Sequence, residues 1–141
     1  MMTSITLAQA NALVEAALKH GRSLNLAPLS AAVLDAGGFL IAFAREDGSS
    51  NLRPQIAIGK AAGALSLGMS SRRIGEMAAE RPSFVGALGS IAPGGIIPAA
   101  GGLLIRADAG QVIGAVGVTG DTSDNDELCA LHAIAAAGVA G

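Results

Sequence analysis

Five ionisable residues stand where a charge is least expected: Asp35, Arg45, Asp47, Lys60 and Glu127. Asp35 ends the apolar run Ser30-Ala31-Ala32-Val33-Leu34, and Arg45 and Asp47 close the following one, 39–44. Lys60 interrupts Ile58-Gly59-Lys60-Ala61-Ala62, beside glycines that let another backbone or a ligand come close. A lysine so placed snorkels to water, pairs with a carboxylate or contacts an anionic ligand. Two chemistries follow. Lys60 and Arg45 can hold a carboxylate or enolate oxygen while Asp35, Asp47 or Glu127 moves a proton, because a cation beside a carboxylate in a partly dry cleft separates their pKa values. Alternatively, the set fixes the fold or a subunit contact as an Asp–Lys or Asp–Arg pair, which specifies geometry more than it stabilises. Both readings expect Lys60 and the loop acids to converge on one sheltered spot, within the chain or across a subunit contact.

Other motifs carry less chemistry. Gly114, Gly117 and Gly120 invite a nucleotide reading, but a dinucleotide fingerprint sits on a strand-to-helix turn at its own spacing. Here the glycines fall within and at the end of an apolar run, so close packing of a helix on a sheet accounts for them. There is no P-loop and no Gly-x-Ser-x-Gly nucleophile elbow. The acidic run 121–127 lacks the central glycine and distant glutamate of a calcium loop, and reads as helix capping. His20 and His132 are isolated in sequence, short of the three ligands of a catalytic zinc site. Cys129, the single cysteine, excludes an internal disulfide and reads as a small buried side chain.

The 141 residues suit one domain, 1–141, with a single core. Charged residues make up 14% of the chain, below the ~25% of ordinary domains, and 51% is hydrophobic, which excludes a disordered chain. So few charges on so apolar a chain imply surface buried against further subunits, a homo-oligomer. Nine basic against eleven acidic residues, with three Phe and neither Trp nor Tyr, give nucleic acid neither a basic field nor a stacking platform. The stretch between Arg81 and Arg106 carries no charge but is broken by Pro82, Pro93, Pro98 and six glycines, so no membrane span is expected. The start Met1-Met2-Thr3-Ser4 shows no signal-peptide pattern, and a cytoplasmic location is the expectation.

The elements that must position these residues are readable. Thr6 and Gln9 have capping-box spacing ahead of a helix through Leu7, Ala10, Val14, Ala17 and Leu18, with Gly21 at its end. Runs 30–35 and 39–44 make a hairpin, too apolar for a face open to water, so helices are expected on both sides. A second helix spans 54–67 and stops at Gly68, and Ser70 or Ser71 caps a third that ends near Pro82. Strands 102–107 and 111–119 form a second hairpin before a last helix, whose capping pairs are Ser123/Asp126 or Asp124/Glu127. Helix, hairpin, two helices, loop, hairpin, helix is an α+β plan with an antiparallel sheet.

Val33-Leu34-Asp35-x-x-Gly38, Ala44-Arg45-x-Asp47-Gly48 and Ile56-Ala57-x-x-Lys60-Ala61 resemble the GlcG/HbpS family, which includes the C-terminal domain of PduO-type proteins. Pro93-Gly94-Gly95, Gly101-Gly102-x-x-Ile105, Gly114-Ala115-x-Gly117-Val118-x-Gly120 and Asp126-Glu127 extend the likeness over nearly the whole chain. The resemblance implies a profilin-like antiparallel sheet flanked by helices, in even-numbered homo-oligomers, and a small-molecule ligand such as haem or a corrinoid. On that reading Arg45, Arg53 and Lys60 pair with propionates, Gly101 and Gly102 border the ligand, and His20 or His132 offers an axial bond. Glu46, Ser49, Gly63 and Leu104 depart from the family pattern around the expected pocket. The alternative is a cofactor-independent catabolic enzyme using Lys60, Arg45 and a nearby carboxylate; a third reading is a structural partner in a catabolic complex.

Overall fold

The computed structural model describes residues 4–141; Met1–Thr3, where the absence of a leader was read, lie outside the described residues. Four antiparallel strands form one sheet in the order β2-β1-β4-β3, with β1 at Ser30–Asp35, β2 at Leu40–Arg45, β3 at Gly102–Arg106 and β4 at Val112–Thr119. Helices α1 (Leu7–Ser23) and α5 (Ser123–Ala136) pack on each other and on one face; α2 (Arg53–Leu67) lies across the other, followed by α3 (Ser71–Glu80) and α4 (Pro82–Leu88). The α+β plan and its antiparallel sheet are as expected.

Side-chain alternation divides the core between the two faces. Ala31, Val33, Val116 and Val118 join Leu13, Ala17, Cys129 and Ala133 beneath α1 and α5. Leu34 and Ala115 meet Ala61 and Ala62 of α2. Small residues bring α2 close: a Cβ on Gly117 would collide with the Ala57 carbonyl oxygen, and one on Gly102 with that of Lys60. Gly59 and Gly63 accept Ile97 and Ile96 of the loop that folds back over α2. The glycines thus serve helix-to-sheet and loop-to-helix approach.

Several local expectations need correction. The Thr6–Gln9 capping box forms, but α1 runs past Gly21 to Ser23; Gly21 is buried because a Cβ there would strike the Leu29 side chain. The cap of α5 is Thr122, whose hydroxyl accepts the Asn125 amide at 3.2 Å, not Ser123 or Asp124. Pro82 opens α4 instead of leading into a loop, since proline suits a first helical turn. β1 is covered on both faces, but β2 is an edge strand, with its first residue Leu40 and the preceding Phe39 exposed. No helix among the described residues is long and apolar enough to cross a membrane.

Candidate functional site

Lys60 is the best-buried cation, and its partner was missed in sequence. Its Nζ donates to the Val118 carbonyl at 2.9 Å and to Asp126 Oδ2 at 3.2 Å, with both residues almost wholly buried. Gly101 makes room, for a Cβ there would stand 2.8 Å from the ammonium. The lysine therefore runs past the glycine start of β3 and ties α2 to α5, helices on opposite faces of the sheet. Burial lowers the Lys60 pKa and raises that of Asp126, while each charge opposes the shift of the other. Asp126 Oδ1 also accepts the Asp121 amide at 2.9 Å. One signal was present in the sequence. Asp126 shares the apolar stripe of Cys129, Ala130 and Ala133, where an acid requires a partner.

None of the expected carboxylates, Asp35, Asp47 or Glu127, pairs with Lys60 within the chain. Asp35 folds its own turn, Oδ1 accepting the amides of Gly37 and Phe39 at 2.9 and 3.0 Å. Arg45 pairs in register with Ser30, whose other neighbour is Thr119, so it stands at the end of the sheet where Lys60 meets Val118 but two strands across, about 10 Å at ~4.8 Å per strand. Glu127 receives Arg72 at 3.1 Å, and Asp124 shares that guanidinium. Arg45 and Asp47 line, with Arg22, Pro28 and Glu46, an open cleft of about 480 Å³. Glu46, read as a departure from the family pattern, holds that corner: it accepts the Leu29 amide at 2.7 Å and Arg22 Nε at 2.9 Å. Arg53, in the first turn of α2, donates to Thr119 Oγ1 at 2.7 Å. Gly101 and Gly102 border Lys60 and Ser71, whose hydroxyl accepts the Gly102 amide at 2.7 Å.

Isolated in sequence, His20 and His132 are stacked in space, with centroids 4.0 Å apart and planes within 10°. They lie in a second open cleft of about 500 Å³ between α1 and α5, with Ala12, Ala16, Ala136, Glu15 and Lys19. Among the described residues no group of three or more His, Cys, Asp or Glu is placed to hold a metal ion. Cys129 is buried, and its thiol is pushed up to about 11 by burial, with the nearby Asp126 charge adding to it. A thiol so protonated is a packing group.

Comparison with known proteins gives this geometry a family. The family model described as haem degrading protein HbpS-like matches residues 5–135. Among solved structures, the PduOC–haem complex superposes with a TM-score of 0.86 at 23% identity, covering 97% of each chain, a likeness of fold. Protein ORFY of Klebsiella pneumoniae matches at 30% identity and TM-score 0.85, over 98% of this chain and 93% of its own. HbpS matches at 27% and 0.82, over 96% and 91%, and so does a double mutant of HbpS from Streptomyces reticuli, over 96% and 88%. No curated protein matches by sequence. The chain belongs to the HbpS-like family of haem-degrading proteins.

Proposed function

We propose that the protein binds a haem-class tetrapyrrole as a homo-oligomer, with the α1–α5 cleft as the contact surface. The observation that carries this reading is the stacked His20–His132 pair, which offers imidazole nitrogens, the donors suited to haem iron, in an open cleft. The donor set fits: Lys19 lines the cleft with the rings as a cation for a propionate, and Ala12, Ala16 and Ala136 supply apolar surface, with Glu15 and Ser23 as its other polar lining. Further support comes from the family and from the haem complex formed by the PduO relative. Bound haem would supply an iron centre able to take a further ligand or exchange electrons.

One chain gives the macrocycle one wall. Ligand sites usually bury 70–90% of their ligand, so a second copy supplies the opposing surface, which agrees with the low charge of the chain. Titrating haem into micromolar protein should sharpen and shift the Soret band. His132→Ala and His20→Ala should each weaken that change, while native mass spectrometry should give an even subunit number with haem retained. An unchanged Soret spectrum in the wild-type protein removes the reading.

A further inference from the structure

A different corner of the molecule is built for a small anion. Ser30 and Ser49 carry buried hydroxyls without a hydrogen-bond partner among the described residues. Ser30 is completely buried, and such an unsatisfied group needs an explanation. Alternation aims it at the α2 face: its neighbour Ala31 packs under α1 and α5, whereas Leu34, four residues on, packs on α2. In register it lies between Thr119 of β4 and Arg45 of β2. The Thr119 hydroxyl is already held by Arg53 Nη1 in the first turn of α2. The unpartnered hydroxyl therefore sits one cross-strand step, about 5 Å, from the residue that anchors this guanidinium.

The charges around it are positive and incompletely answered. Neither Arg45 nor Arg53 forms an ion pair among the described residues. Helix α2, 15 residues long, has Leu52 at its N-cap with no side-chain hydrogen bond; the Ser50 carbonyl accepts the Arg53 amide and Pro54 has none, which leaves the Gln55 amide free at the positive end of the dipole. Glu46 is already committed to Leu29 and Arg22. Asp47 shares the open cleft with Arg45 and is the remaining carboxylate of that wall. We infer that Ser30, Arg45 and Arg53, at the start of α2, bind a compact oxyanion, a small carboxylate or inorganic phosphate. The guanidinium of Arg53 and the Ser30 hydroxyl donate to its oxygens, and Arg45, in register with Ser30 on the neighbouring strand, adds its charge.

Calorimetric titration at constant ionic strength, with inorganic phosphate in one arm and malonate in the other, tests this without haem. Wild-type protein should bind at least one of them, and the arm with the lower Kd identifies the chemistry. Arg53→Gln should weaken binding by ~10-fold or more, the scale of a lost charge-assisted hydrogen bond. Ser30→Ala should weaken it several-fold while leaving the melting temperature of the anion-free protein unchanged or higher, because an unpaired buried hydroxyl has been removed. A structural role for Ser30 would give the reverse. His132→Ala should bind the anion as the wild type does, which separates this site from the tetrapyrrole cleft. No heat from either anion up to about 10 mM, or equal affinity in the folded Arg53→Gln variant, overturns the inference.

Discussion

Lys60 shows how far a single residue can be understood from its sequence neighbours. A charge inside Ile58-Gly59-Lys60-Ala61-Ala62 had to be explained, and among the three explanations the pairing with a carboxylate describes it. The identity of that carboxylate was out of reach, because Asp126 is 66 residues away and meets Lys60 only once α2 and α5 flank the sheet. The acids that looked available in sequence satisfy other needs instead, Asp35 in its turn and Glu127 on the Arg72 guanidinium. Removing one member of a buried pair leaves the other charge uncompensated, at a cost of about 3–5 kcal/mol. Lys60→Met should therefore lower the urea midpoint sharply, whereas Lys60→Met with Asp126→Asn should recover much of the loss, since the asparagine oxygen still accepts the Asp121 amide. A single variant as stable as wild type would show that the pair contributes no net order.

At the scale of elements, the outline was legible because it rests on local signals. The Thr6–Gln9 box, the Gly68 stop with its left-handed φ of 67° and the Ser70 cap each act within one helical turn. Errors arose where tertiary packing decides: Gly21 reads as a helix end until Leu29 is seen against it, and Pro82 reads as a terminator until a new helix starts from it. The histidine pair illustrates the same limit, since 112 positions separate two rings that the α1–α5 contact stacks. Glycines allow the point to be tested by one substitution at two places. Gly117→Ala must push Ala57 and its helix off β4, and overpacking of this kind costs about 1–3 kcal/mol. Gly86→Ala on α4 meets nothing within 4 Å and should gain about 0.5–1 kcal/mol from helix propensity. Thermal unfolding of the two variants should thus move in opposite directions; a shift of the same sign would refute the packing role of Gly117.

Across the whole molecule, one end of the sheet is held by a chain of polar contacts joining both helical layers. Lys60 on α2 reaches Asp126 on α5, Asp126 accepts the Asp121 amide, and Asp121 in turn accepts the Ala27 amide at 2.9 Å and Asn125 Nδ2 at 2.8 Å. Arg22, at the end of α1, donates to the carbonyls of Leu26 and Ala27 and closes onto Glu46. Its carboxylates respond to acid with opposite signs. The hydrogen bonds from Asn125 and Ala27 lower Asp121 from 3.8 to about 2. Between those values the unfolded chain binds more protons than the folded one, so stability falls as pH drops through this window. Burial raises Asp126, so its proton uptake favours the folded state, and it does so above pH 3.8, before Asp121 begins to titrate. Unfolding followed by circular dichroism from pH 6 to 2 should therefore show its loss concentrated below about pH 4. Asp121→Asn, which keeps an oxygen for Ala27 but cannot titrate, should flatten the fall in that window while leaving the region above it unchanged. A fall of equal steepness in the variant would assign the acid sensitivity to other carboxylates and remove Asp121 as the acid-labile link between the α1–β1 loop and α5.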